Sequence, residues 1–198
     1  SALLFGILNA AVAYLTARVF KAELPRYRAI RLRTLIVLSI LAATFAYADR
    51  ISFKAEQSYF GDPIVYQSHS PYQRLVVTRW KDDTRLYING NLQFSSRDEA
   101  RYHEALVLPA MQMVSDASRV LILGGGDGLA AREVLKYPQV KHVTLVDLDP
   151  DMTATFKTSA ALSALNQGSL SHPKMHVVND DAAKWLEGSS EKFDVIII

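Results

Sequence analysis

Hydrophobic residues fill two long stretches near the start of the chain. Residues 1–17 contain no charged side chain, and residues 34–48 form a second uncharged run. Neither run has the polar stripe of a surface helix. A bilayer crossing takes about 20 mainly apolar residues, which each run approaches when flanking arginines reach toward the interface. The pattern predicts a helical membrane hairpin over residues 1–54, with a soluble helical hairpin as the alternative.

A basic segment, RVFKAELPRYRAIRLR, joins the two runs. Loops rich in Lys and Arg favour the cytoplasmic side, and a basic cluster that follows an apolar run does not suit a signal peptide. If residues 34–48 then cross, the rest of the chain lies outside the cytoplasm. The alternatives are that this run does not cross, that the basic loop does not follow the cytoplasmic preference here, or that ligands are supplied outside. The predicted location is the cell membrane, with the side left open.

From about residue 56 the pattern changes to short runs in which apolar and polar residues alternate. Asn89-Gly90 predicts a hairpin turn, since both residues accept positive φ. A helix follows over residues 96–113, with Ser96 as its N-cap and Pro109 as a late interruption. Strands are predicted at residues 73–80, 84–88 and 92–94.

Beyond residue 118, strands alternate with helices. This order predicts a parallel sheet with crossover helices. Residues 193–198, FDVIII, are wholly apolar, as expected of a central buried strand. The other strands are predicted at residues 119–123, 142–146 and 175–178, and the helices at residues 129–137, 151–165 and 182–186.

The predicted fold class is α/β. A Rossmann-like sheet of the methyltransferase type (residues 96–198) follows a small β-hairpin domain (residues 55–95) and the apolar hairpin (residues 1–54). Ligands of such sheets bind beyond the carboxyl ends of the strands. We therefore expect the chain to be truncated after Ile198, within its own active site.

Charge and composition narrow the function. Residues 1–54 hold eight basic and two acidic side chains, a net charge of +6, while the remaining 14 basic and 18 acidic side chains give −4. An acidic soluble part argues against nucleic acid as the partner. The absence of cysteine excludes disulfides, thiolate nucleophiles and cysteine-based zinc sites.

Polar loops follow three successive strands. The first, Gly124 to Gly128, joins a strand to a helix, where glycines let the backbone approach a ligand and the helix start offers free N–H groups. Asp147 ends the next strand and is a candidate for ribose hydroxyls, while Asp149 before Pro150 suits an N-cap. In Asn179-Asp180-Asp181-Ala182, an aspartate could accept from an adenine amino group, cap a helix, or both. Together these loops predict an adenosyl pocket.

Asp127 lies inside the glycine loop and would repel a phosphate there. It suits a cationic group better. Decarboxylated S-adenosylmethionine lacks the carboxylate of S-adenosylmethionine, so a protein carboxylate can hold its amine. This favours an aminopropyl donor over a methyl donor.

The order of motifs resembles the spermidine synthase family. It comprises PYQR, the hairpin YINGNLQFSSRDEARYHEAL, GGGDG with REVLKYP, VDLD, NDDA and FDVIII, over residues 71–198. The apolar hairpin resembles the subgroup with a multi-span N-terminal region. The resemblance implies transfer of an aminopropyl group from decarboxylated S-adenosylmethionine to putrescine, without a metal, and a possible homodimer.

The resemblance also implies residue roles. Tyr102, His103 and Asp127 match positions that bind the polyamine substrate, and Gln93 lies near them with less support. Glutamate is common in the family where Asp147 stands, and glycine is more usual at Leu129 and Ala182. Cofactor-binding positions are matched by Gln73, Gly124, Gly125, Gly126, Asp127, Asp147, Asp181 and Ala182.

The family's catalytic aspartate, in a D-x-x-D-P motif, would directly follow Ile198. We therefore expect this chain by itself to be inactive or nearly so. Two alternatives stay open: an S-adenosylmethionine-dependent methyltransferase, and a non-catalytic, synthase-like membrane protein that binds polyamines.

Overall fold

The computed structural model describes residues 2–198, apart from the side chain of Asp49. The chain divides into two compact units, Ser1–Gly61 and Asp62–Ile198. Helices form the first unit, and two four-stranded sheets with further helices form the second.

Two apolar helices dominate the first unit. Helices α1 (Ala2–Val19) and α2 (Tyr27–Ala46) pack against each other. A side chain on Gly6 would lie 3.5 Å from that of Leu41, so the start of α1 lies beside the end of α2. Ala17 is the one buried residue within the described parts of these helices. By length and composition both could cross a membrane, a test that signal sequences and buried core helices also pass.

The helical part of this unit is longer than the sequence pattern predicts. Helix α2 already begins at Tyr27, so much of the predicted basic loop is helical. Helix α3 (Ala48–Phe60) was not predicted and covers the stretch in which the soluble pattern was expected to begin. Ile51, Ala55 and Tyr59 stand at helical spacing in it, and this pattern could have predicted the helix.

The second unit begins with an antiparallel sheet in the order β1-β2-β3-β4. The predicted Asn89-Gly90 turn is confirmed, because φ is 52° at Asn89 and 85° at Gly90. The strands of this sheet are β1 (Ile64–His69), β2 (Arg74–Trp80), β3 (Asp83–Ile88) and β4 (Asn91–Ser95). Strand β1 was not predicted.

A parallel sheet follows, in the order β7-β6-β5-β8. The predicted parallel sheet is thus confirmed, but β8 lies at its edge among the described strands, and Ile196 is 52% exposed. Because the chain turns to opposite sides of β5, a crevice opens at the carboxyl ends of the strands. The strands are β5 (Arg119–Leu123), β6 (His142–Asp147), β7 (Met175–Asn179) and β8 (Val195–Ile197).

The helices of this unit differ in detail from the prediction. Helix α4 (Glu99–Met113) starts later than predicted, and Ser96 does not cap it, because its hydroxyl accepts a hydrogen bond from Thr84 N at 2.9 Å. Pro109 lies inside α4 and does not end it. An extended residue, Ser159, divides the single helix predicted over residues 151–165 into two. The remaining helices are α5 (Leu129–Leu135), α6 (Pro150–Thr158), α7 (Ala160–Leu165), a 3-10 turn (Ser169–Ser171) and α8 (Ala182–Gly188).

One hydrophobic core joins the two sheets. Leu75, Leu86 and Phe94 from the antiparallel sheet are buried in the same cluster as residues of α4, β5 and α6. The ring of Phe94 meets that of Phe156 edge-on, with centroids 6.1 Å apart. This packing holds the antiparallel sheet beside the carboxyl ends of the parallel strands.

Candidate active site

A cavity of about 570 Å³ lies at the carboxyl ends of the parallel strands. Its wall combines the loops after β5, β6 and β7 with residues of α4 and the antiparallel sheet. All of the residues predicted to bind the cofactor or the substrate line it: Gln73, Gln93, Tyr102, His103, Gly124, Gly125, Gly126, Asp127, Asp147, Asp181 and Ala182.

The glycine loop and Asp147 are in direct contact. One carboxylate oxygen of Asp147, Oδ2, accepts a hydrogen bond from Gly126 N at 2.8 Å. A Cβ on residue 126 would lie 2.7 Å from that carboxylate, so only glycine allows this approach. The other oxygen, Oδ1, accepts from Asp149 N at 2.9 Å. A carboxylate has about four acceptor positions, so Asp147 can still accept two further hydrogen bonds.

Asp127 is buried in the loop, with 9% of its surface exposed. Its Oδ1 accepts a hydrogen bond from Leu129 N at 2.9 Å. Burial raises the pKa of Asp127, and the nearby Asp147 and Glu99 raise it further, against the opposing effects of the Leu129 N–H and of His103. A carboxyl in such a place gains most from a cationic ligand that restores its charge.

The third loop lies after β7. Asp181 caps α8, because its Oδ1 accepts from Ala183 N at 2.9 Å and from Lys184 N at 3.1 Å. Its neighbour Asp180 makes an ion pair with Lys184 at 3.7 Å. Asp181 therefore has the capping role foreseen as one alternative, and it also lines the cavity, where its second oxygen has no hydrogen-bond partner among the described residues.

Helix α4 supplies the pair from the YHE motif. Tyr102 is 65% exposed, and its ring stands edge-on to that of His103 with centroids 5.1 Å apart. His103 is buried, and its Nδ1 lies 2.9 Å from Glu99 O and 3.0 Å from Glu99 Oε2. The pair thus presents one exposed phenol and one anchored imidazole to the cavity.

Gln73 is positioned through a serine that the sequence did not single out. Ser70 Oγ accepts from Gln73 N at 3.1 Å and donates to Asp149 Oδ2 at 2.9 Å. The predicted N-cap role of Asp149 is confirmed, since its Oδ1 accepts from Asp151 N at 3.0 Å. Asp149 is fully buried and so ties the antiparallel sheet to the loop after β6.

Other cavity residues were also missed by sequence reasoning. Tyr72 and Met152 line the wall, and only the PYQR motif gave a signal for the first of them. Within the described part of the chain, no group of three or more His, Asp or Glu side chains is arranged to hold a metal ion.

Comparison with known proteins gives a consistent result. The spermine/spermidine synthase domain family matches residues 99–198. Polyamine aminopropyltransferase 2 of Ralstonia nicotianae is 59% identical over 98% of this chain and 39% of its own length. Polyamine aminopropyltransferase of Leptospira interrogans is 46% identical over the same shares, 98% and 39%. Among solved structures, spermidine synthase in complex with the transition-state analogue AdoDATO aligns with a TM-score of 0.64 at 29% identity, over 68% of this chain and 46% of that one.

The chain spans about two fifths of the length of these curated relatives, 39% in each case. The family match covers half of the chain and includes the loops after β5, β6 and β7 that line the cavity. The fold, the order of motifs and the relatives agree, and the chain therefore belongs to the spermine/spermidine synthase family.

Proposed function

We propose that this chain carries the donor-binding part of a polyamine aminopropyltransferase, which moves an aminopropyl group from decarboxylated S-adenosylmethionine to putrescine and releases methylthioadenosine. The observation that carries the proposal is the buried carboxyl of Asp127 inside the glycine loop. A phosphate would be repelled there, whereas a primary ammonium would be held. The AdoDATO complex of a structural relative supports the same donor.

In the proposed reaction, a neutral amine of putrescine attacks the carbon next to the sulfonium. The new C–N bond forms as the C–S bond breaks, its electron pair stays on sulfur, and the nitrogen then loses a proton. Because the sulfonium is already activated, the described residues contribute mainly by positioning. Asp147, Asp181 and Gln73 hold the methylthioadenosine part, and Asp127 holds the donor amine.

Binding preference tests this proposal. Titration calorimetry with the chain in mild detergent is expected to show tighter binding of decarboxylated S-adenosylmethionine than of S-adenosylmethionine, because the additional carboxylate of the latter would face Asp127. Methylthioadenosine, which has neither the amine nor the carboxylate, is expected to bind and serves as the reference ligand. Preference for intact S-adenosylmethionine would contradict the proposal and point to a methyltransferase.

We further propose that the protein is a multi-pass membrane protein of the subgroup with a multi-span N-terminal region. The support is that α1 and α2 have 18 and 20 residues, are almost entirely unburied, and expose large apolar side chains. In water such surfaces would associate, while a bilayer covers them.

Cysteine labelling tests the crossing by α2, since the sequence of this chain contains no cysteine. Ala22, before α2, and Ser190, near the end of the second unit, are both exposed. In intact cells an impermeant maleimide is expected to label only one of the variants Ala22→Cys and Ser190→Cys, and both after permeabilisation. Labelling or protection of both in intact cells would show that α2 does not separate them. Labelling of Ser190→Cys in intact cells would place the cavity outside the cell, and labelling of Ala22→Cys would place it in the cytoplasm.

A further inference from the structure

A buried cluster of charges lies behind the cavity wall, between α4 and α5. Arg132 donates from Nη1 and Nη2 to the two oxygens of Glu99, at 2.8 and 2.9 Å, in a bidentate pair. Its Nε donates to Glu133 Oε1 at 2.9 Å, and Glu133 pairs with Lys136 at 2.5 Å. Two basic and two acidic groups thus balance, and the side chains of Glu99, Arg132 and Glu133 are all less than 10% exposed.

His103 is the cavity residue that touches this cluster. Both neighbours of its Nδ1, the carbonyl oxygen and the carboxylate of Glu99, are acceptors. Nδ1 must therefore carry the proton. The Nε2 atom has no hydrogen-bond partner among the described residues, and His103 lines the cavity.

We propose that Glu99, held by Arg132, is a positioning residue that fixes His103 in the tautomer protonated at Nδ1, so that Nε2 accepts a hydrogen bond from an N–H of the diamine substrate. The identity of that ligand rests on the proposed function. An acceptor nitrogen there binds an ammonium group, whereas the other tautomer would direct an N–H toward that group and repel it.

Nitrogen NMR of the whole chain in detergent micelles tests the tautomer directly. With ¹⁵N-labelled histidine, the two-bond correlations of the neutral His103 ring are expected to show a protonated Nδ1 and an unprotonated Nε2. His103→Gln identifies the signals among those of the five histidines. Putrescine, added with methylthioadenosine, is expected to move the Nε2 signal and leave Nδ1 nearly unchanged. A protonated Nε2 in the free protein, or an Nε2 signal indifferent to putrescine, would overturn the inference.

A double variant separates positioning from simple packing. Glu99→Met with Arg132→Met replaces both partners by apolar side chains of similar size, a change that buried ion pairs often tolerate, and Glu133 keeps its ion pair with Lys136. Only the backbone carbonyl of residue 99 is then left for Nδ1, and signals of the Nε2–H tautomer are expected to appear. A single unchanged tautomer in this variant would show that Glu99 does not set it. Failure of the wild-type chain to bind methylthioadenosine would count against the proposed function, while the tautomer of the free protein still decides the role of Glu99.

Discussion

Replacing Asp127 with asparagine is expected to weaken binding of decarboxylated S-adenosylmethionine by on the order of 10²-fold or more, because leaving one member of a buried charge pair alone costs about 3–5 kcal/mol. Methylthioadenosine has no amine, so its affinity is expected to change by only a few-fold. Asparagine preserves the side-chain shape and can still accept the hydrogen bond from Leu129 N. Calorimetry with the two ligands separates loss of charge from damage to the loop.

The same variant is expected to be more stable than the wild type at neutral pH. Burial raises the pKa of Asp127 above its ordinary value of 3.8, so the folded chain binds this proton more tightly than the unfolded chain does. The stability that this group contributes is fully present below that value and is lost as pH rises through the raised pKa. Asparagine has no such proton. The free energy of unfolding of the variant should therefore exceed that of the wild type by a margin that grows as pH rises from 3.8 through the raised pKa.

Tryptophan fluorescence can follow this unfolding, because both tryptophans, Trp80 and Trp185, lie in the second unit. Equal stability across the pH range, together with undiminished discrimination between the two ligands, would contradict the role of Asp127.

The sequence predicts the cavity well because its parts are short and local. A strand, a polar loop and a helix follow one another within about 15 residues, and each parallel strand brings its loop to the same edge. The acid at Asp147 and the glycines are thus brought together by the topology alone. The capping acids, Asp149 and Asp181, are visible for the same reason, since a cap depends on residues two or three positions away.

What the sequence does not predict depends on contacts between distant segments. The hydrogen bond from Ser70 to Asp149 joins residues 79 apart, and the pair of Tyr66 with Thr155 joins residues 89 apart. Tyr66 lies on strand β1 and Ser70 directly follows it, while Ser68 of the same strand donates to Asp151 on α6 at 2.9 Å. The buried pair of Glu99 with Arg132 was missed for the same reason. In the sequence alone, each residue is typical of a surface charge on a helix.

Gly128→Ala is expected to cause a large loss of stability in the second unit. The backbone φ of residue 128 is 76°, which costs an alanine about 1–2 kcal/mol. Its Cβ would lie 2.6 Å from Ser169 Oγ, 2.8 Å from Leu170 Cγ and 3.0 Å from Asn166 Nδ2. Crowding in a packed core adds about 1–3 kcal/mol. The expected loss in free energy of unfolding is therefore about 2–5 kcal/mol, measured by denaturant titration with tryptophan fluorescence.

Gly168→Ala is the matched control. Its φ is 68°, close to that of Gly128, but no atom lies within 4 Å of the position its Cβ would take. Only the backbone cost of about 1–2 kcal/mol is expected there. The segment that crowds Gly128 also holds the donor loop, since Asn166 Nδ2 donates to Asp127 O at 2.8 Å and Ser169 Oγ donates to Gly128 O at 2.7 Å.

The two variants should therefore differ in binding as well as in stability. Displacing Asn166 and Ser169 moves the carbonyls of the loop that carries Asp127, so Gly128→Ala is expected to weaken methylthioadenosine binding, whereas Gly168→Ala leaves it near the wild-type value. Equal losses of stability would show that the left-handed backbone alone accounts for the cost. A larger loss in Gly128→Ala without any change in binding would show that the loop keeps its shape when the wall behind it moves, contrary to the contacts described above.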